Sequence, residues 1–147
     1  MKKRFETFTV LITKINRSIR KIKNQEMAEY NLKSPQISCL YHLYLSDGLT
    51  STELCERCEE DKATISRSLD VLEKSGYIVC ETAGTKRYKS PFILTEKGKA
   101  VGEKIVYKVN RVLDAVGDGM SEDERITFYQ HLTAICENLE CISNGQH

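Results

Sequence analysis

Apolar side chains recur at Phe5, Phe8, Ile12, Ile15, Ile19 and Ile22 in alternating steps of three and four residues. That spacing marks one face of a helix packed against other helices. No Gly or Pro interrupts residues 5–30, so one long helix is predicted there. Lys33-Ser34-Pro35 restarts the chain, with Ser34 able to cap backbone N–H groups and Pro35 suited to the first helical position. Ile37, Leu40, Tyr41 and Tyr44 mark a face of a second helix, which Asp47-Gly48 should end. Leu49 is expected to pair with later strands.

Thr50 and Glu53 have the T-x-x-E spacing of a capping box and open a third helix, with Leu54, Cys55 and Cys58 on its inner face. Residues 59–61 form a polar turn, and Asp61 can cap the next helix, predicted over 62–75 and ended by Gly76. Two short helices joined in this way read as a helix-turn-helix over residues 50–77. Strands are expected at 77–80 and 90–94 around a tip at 83–87, with Pro91 suiting an edge strand because it lacks an N–H donor.

Thr95 caps a fifth helix whose apolar face runs through Val101, Ile105, Val109, Val112 and Val116 and stops near residues 117–119. Ser121 and Glu124 form another capping box and open a last helix striped by Phe128, Leu132, Ile135, Leu139 and Ile142. The fold class is therefore mainly α with a small β-hairpin (α+β), in a single domain of residues 1–147. Within it, residues 34–99 form the helix-turn-helix lobe, and residues 1–30 and 100–147 supply long helices. Those helices form too thin a layer to bury their own stripes. A second copy of the chain would cover them and create two-fold symmetry, so a homodimer is expected.

A length of 147 residues with 40% hydrophobic content suits one core. No apolar run approaches the roughly 18 residues of a membrane span, and the basic start lacks the apolar core of a secretory signal, so a cytoplasmic protein without a membrane partner is expected. The net charge of +1 conceals segregation: residues 62–111 hold eleven Lys/Arg against five acids, whereas residues 112–147 hold one against seven. A local basic face matters more to a phosphate backbone than the total does. The basic block begins with the second helix of the motif. There, Thr64, Ser66 and Arg67 are assigned to base edges and Lys62 to a phosphate, opposite the apolar Ile65, Leu69 and Leu72. Merely tolerated exposed residues are the competing reading for Thr64 and Ser66.

Cys55 and Cys58 share a helical face and could supply two metal or redox-active thiols, but no second pair at zinc-site spacing follows. The histidines, His42, His131 and His147, are scattered. Packing is the simpler role for these thiols and for Cys39, Cys80, Cys136 and Cys141, and all six are expected to be reduced. No metal or cofactor is called for. A nucleophile elbow, phosphate loop, H-E-x-x-H and paired-carboxylate motif are all missing, which argues against an enzyme. A winged-helix module for protein contacts, or a metal- or thiol-responsive regulator using Cys55 and Cys58, remains an alternative to a DNA-binding regulator.

The order of these features resembles MarR-type transcriptional regulators. The stretches carrying the resemblance are Leu49-Thr50 with Glu53-Leu54, Asp61-Lys62-Ala63-Thr64-Ile65-Ser66-Arg67, and Leu94-Thr95-Glu96-Lys97-Gly98, within residues 5–143. The resemblance implies a homodimeric winged helix-turn-helix that binds a palindromic double-stranded DNA operator, often represses, and is often released by a small-molecule effector or an oxidant. It makes the hairpin a wing, with Lys86, Arg87 and Lys89 gripping backbone or minor groove. Many members carry Asp-x-Arg in this wing. Lys86 and Tyr88 occupy those positions here, so the acid is missing. The resemblance also places an effector pocket between the dimerisation helices and the lobe, with Tyr30, Tyr41, His42 and Tyr44 as liners. Ordinary core or surface aromatics is the alternative for those four. Peroxide-sensing relatives use a cysteine in the first helix, and this chain has none before Cys39.

Overall fold

Residues 4–81 and 89–145 are described by the computed structural model. The elements are α1 (Arg4–Glu26), α2 (Ser34–Tyr44), α3 (Ser51–Cys58), α4 (Lys62–Lys74), β1 (Ile78–Cys80), β2 (Phe92–Leu94), α5 (Glu96–Val116) and α6 (Glu122–Ser143). The expected hairpin tip at 83–87, with Lys86 and Arg87, lies outside the described residues. The chain divides into two compact units, residues 1–108 and 109–147.

In the first unit, α2 is the central element, packing against α3, α4, β2 and the end of α1. Its buried Ile37, Cys39, Leu40 and Leu43 meet a core that includes Leu54 of α3 and Ile65, Leu69 and Leu72 of α4. Burying such side chains contributes roughly 1.5–3 kcal/mol each, before the entropy cost of ordering them. The three-residue strands pair antiparallel, Ile78 opposite Leu94 and Cys80 opposite Phe92. Leu49 extends this ladder by one bridge to Phe92, as expected. So short a hairpin is marginal alone, and Ile78, Phe92 and Leu94 secure it by facing the core.

Three boundaries differ from the sequence reading. The first helix stops at Glu26, and residues Ala28–Tyr30 form a short 3-10 turn ending at Asn31 in the left-handed region (φ 55°). Ser34 is the first residue of α2, not its cap. The extended Lys33 takes that place, its backbone N–H donating to Gln36 Oε1 at 3.0 Å. Helix α2 ends at Tyr44, ahead of Asp47-Gly48, where the Ser46 hydroxyl donates to the Leu43 carbonyl at 3.2 Å. That carbonyl also accepts from the Ser46 N–H at 3.3 Å, so Ser46 closes the helix end with both its backbone and its side chain.

The Leu94-Thr95-Glu96-Lys97-Gly98 stretch joins the end of α4 to the start of α5. The Thr95 hydroxyl accepts from the Gly98 N–H (3.1 Å) and donates to the Gly76 carbonyl (2.6 Å). Lys97 Nζ donates to the Ser75 carbonyl at 2.7 Å and lies 4.5 Å from the Tyr77 ring centroid. A Cβ on Gly98 would fall 2.0 Å from the Tyr77 carbonyl oxygen, so only glycine allows this approach. At the other side of the unit, Lys108 donates to the Glu26 carbonyl at 2.5 Å and pairs with the Glu26 and Glu29 carboxylates.

The second unit has a different character. Ser121 and Glu124 form the predicted capping box, at 3.2 Å and 2.7 Å. Arg125 Nη2 donates at 2.9 Å to the Gly117 carbonyl, just after α5, which also accepts from the Met120 N–H at 3.2 Å. No residue of α6 is buried. Phe128, Ile135, Leu139 and Ile142 are all exposed, and Leu132 is half-buried.

Candidate nucleic-acid interface

Helix α4 is presented by two local devices. The Thr50 hydroxyl accepts from the Glu53 N–H at 3.2 Å, and the Glu53 carboxylate accepts from the Thr50 N–H at 2.9 Å, which starts α3 at a defined residue. Glu59 then adopts the left-handed conformation (φ 52°) and ends α3. Asp61 caps α4, its carboxylate accepting from the Thr64 N–H at 2.6 Å. Backbone and hydroxyl donation from Thr64 holds the Asp61 carboxyl below the usual carboxylate range.

Lys62, Ser66 and Arg67 are exposed and Thr64 is half-buried. Arg67 Nη2 donates to Thr64 Oγ1 at 3.4 Å, a long contact, so Asp61, Thr64 and Arg67 form a chain along the first turns of the helix. The Thr64 hydroxyl is thus engaged locally and orients Arg67. Inward, Ile65, Leu69 and Leu72 are buried, and buried Ser68 donates to the Thr64 carbonyl at 2.8 Å. The outward face also carries Ala63 and Asp70, exposed at i, i+3, i+4 and i+7 with Ser66 and Arg67. Sequence reading passed over these two because neither is a cation, although the helical period alone identifies them.

Lys89, just before β2, is exposed, while Lys86 and Arg87 fall outside the described residues. The four aromatics assigned to an effector are spread over the first unit. Tyr30 is half-buried, with Lys104 Nζ 5.6 Å from its ring centroid. Tyr41 and His42 are half-buried neighbours whose rings meet edge-on at 5.2 Å. Burial, with Arg57 and Lys23 nearby, pulls the His42 pKa down. Tyr44 lines an open cleft of about 440 Å³ with Leu43, Ser46, Gly48, Glu81 and Lys99, a set that excludes Tyr30, Tyr41 and His42.

All six cysteines are free thiols. Cys39 is buried, Cys55, Cys58 and Cys80 are half-buried, and Cys136 and Cys141 are exposed on α6, unlike the packing role expected of them. Among the described residues, no three His, Cys, Asp or Glu side chains converge as a metal-ligand set. The neighbouring Cys58 and burial push the Cys39 thiol pKa up, and Cys39, on α2, draws that of Cys58 down. Burial, chiefly, raises the Cys55 thiol pKa.

Known proteins show the same arrangement. A family model described as MarR family matches residues 30–87. An uncharacterised HTH-type transcriptional regulator of Bacillus cereus is 29% identical over 121 residues, spanning 81% of this chain and 80% of the relative. Two solved structures share the fold. A MarR family regulator from Neisseria meningitidis, NMB1585, has a TM-score of 0.84 at 20% identity, covering 99% of this chain and 100% of its own. Staphylococcus aureus MepR in complex with DNA has a TM-score of 0.78 at 20% identity, covering 90% and 96%. With a capped helix-turn-helix followed by a two-stranded hairpin and long flanking helices, this chain has the winged helix-turn-helix fold of these structures, and its residues 30–87 are similar to the MarR family.

Proposed function

We propose that the protein binds a palindromic double-stranded DNA operator as a homodimer and represses transcription from it in the cytoplasm. The observation that carries this reading is the division of α4. Its apolar side is locked into the core, while Lys62, Ser66 and Arg67 face outward from its first turns. A helix of this diameter enters the major groove, where an arginine can read guanine through two hydrogen bonds. Lys89 and the neighbouring wing cations, Lys86 and Arg87, add phosphate or minor-groove contacts. The fold shared with a regulator solved on DNA is consistent with this use.

Exposed apolar stripes on helices outside the lobe core and the hairpin support homodimerisation. Val10, Leu11, Ile12, Ile15 and Ile19 of α1 and Ile135, Leu139 and Ile142 of α6 are uncovered. We assign residues 34–99 to DNA and residues 1–30 and 100–147 to pairing. A small effector would act by binding the DNA-incompetent spacing of the two lobes more tightly than the competent one. Tyr44, with its cleft, is the first place to look for it, ahead of Tyr30, Tyr41 and His42.

The test is DNA selection from the genome that encodes the protein, followed by titration of the selected site at several salt concentrations. Affinity should fall steeply with salt. Arg67→Ala should cost roughly 1–3 kcal/mol on the selected site and far less on random DNA. Equal losses on both DNAs would remove Arg67 from base readout, and salt-independent binding would remove DNA as the partner.

A further inference from the structure

We propose that Ala63 is a specificity-determining residue, whose methyl group packs against the 5-methyl group of a thymine in the major groove, close to the guanine assigned to Arg67. This role rests on the proposed binding of α4 to DNA. At about 100° per residue, Ala63 lies nearly opposite the buried Ile65, Leu69 and Leu72, at the centre of the outward face. Ser66 and Arg67 flank it, one on each side, and Asp70 follows two turns later. All four are exposed. Ala63 is the second residue of α4, a helix start fixed by Asp61, whose carboxylate accepts from the Thr64 N–H at 2.6 Å. A methyl group therefore occupies the foremost point of the first turn. The far end of the face is unsuited to lead the approach, because the Asp70 carboxylate there is repelled by phosphates.

A side chain of one carbon puts no spacer between backbone and bases, so α4 comes closest to the groove floor at Ala63. Arg67 reaches outward beside it, held along the helix by its 3.4 Å contact to Thr64 Oγ1. The Ala63 methyl neither donates nor accepts a hydrogen bond. Among the base edges of the major groove, only thymine presents an apolar group, its 5-methyl. Ala63 thus favours thymine, and the other three bases offer no apolar group to it. Helical rise also sets how far this thymine lies from the guanine. Ala63 and Arg67 are separated by about 6 Å along the helix axis. Stacked bases are roughly 3.4 Å apart, so the two residues reach bases about two steps from each other.

The experiment selects duplexes from a randomised pool with the full-length protein. Thymines of the selected site are then replaced one at a time by uracil, which lacks only the 5-methyl group. For wild type, replacing one thymine in each half-site should weaken binding about fourfold, the worth of one buried methyl group. That thymine should lie about two base steps from the guanine whose preference Arg67→Ala abolishes. Ala63→Gly should bind the thymine and uracil duplexes equally. The readout is a ratio of affinities for two duplexes, so any loss of folded Ala63→Gly protein cancels. The uracil scan of the wild type needs no variant. A site with no uracil-sensitive thymine near that guanine, or a sensitivity that Ala63→Gly retains, overturns the proposal. If Arg67 still reads a guanine in such a site, the DNA reading of α4 survives without Ala63. If no duplex is enriched at all, that reading falls and the role of Ala63 with it.

Discussion

Helices α4 and α6 carry similar apolar periodicity and end in opposite states. In α4, Ile65, Leu69 and Leu72 are buried by α2, α3 and β1 within the same chain. In α6, Phe128, Ile135, Leu139 and Ile142 lie open along a 22-residue helix with no buried residue. Periodicity therefore establishes that a helix has an apolar face, not what covers it. The lobe completes its own core, whereas α6 and the outer part of α1 leave apolar faces uncovered.

The sharpest way to break this contrast is to truncate one residue on each side of it. Leu54→Ala, in a fully buried position, should cost about 2–5 kcal/mol in urea unfolding of the lobe. If it costs no more than an exposed substitution, the lobe does not hold its core alone. Leu139→Asp should leave helix content intact but shift the protein toward monomer in sedimentation. It forfeits roughly 1.5–3 kcal/mol of burial per copy if the stripe is the dimer seam. An unchanged sedimentation profile would place the pairing surface elsewhere.

Smaller effects sharpen the comparison inside the lobe. Thr50→Ala removes the hydroxyl half of the capping box and should cost about 1 kcal/mol in thermal or urea unfolding. The recognition turn also has a pH signature. The Asp61 carboxyl titrates below its ordinary value of 3.8 because Thr64 donates to it. A carboxylate depressed in the folded state stabilises fully above its unfolded pKa. That contribution is lost as pH falls below 3.8 through the folded value. The Thr64 amide signal should titrate in this acid range. Asp61→Asn, which keeps a capping oxygen, should remove the titration without unwinding the helix. A Thr64 signal that is equally pH-dependent in both proteins would detach Asp61 from the cap.

The order of helices, the two capping boxes, the Asp61 cap and the glycine stops after α4, α5 and α6 were legible in the sequence, because these depend on contacts spanning three or four residues. The sequence also determined the inward face of α4 and the chemistry available on its outward face. The tertiary structure decided matters that depend on distant residues. The buried Met27 marks where α1 gives way to the 3-10 turn. The close approach of Tyr77 explains Gly98, which the motif alone recorded without a reason. The cysteines show the difference most clearly. Spacing within one helix suggests Cys55 with Cys58, but packing of α3 on α2 sets Cys58 near Cys39, which draws its pKa down. Helical period relates a residue only to its own helix, and which other helix meets that face is settled by the packing of the whole lobe.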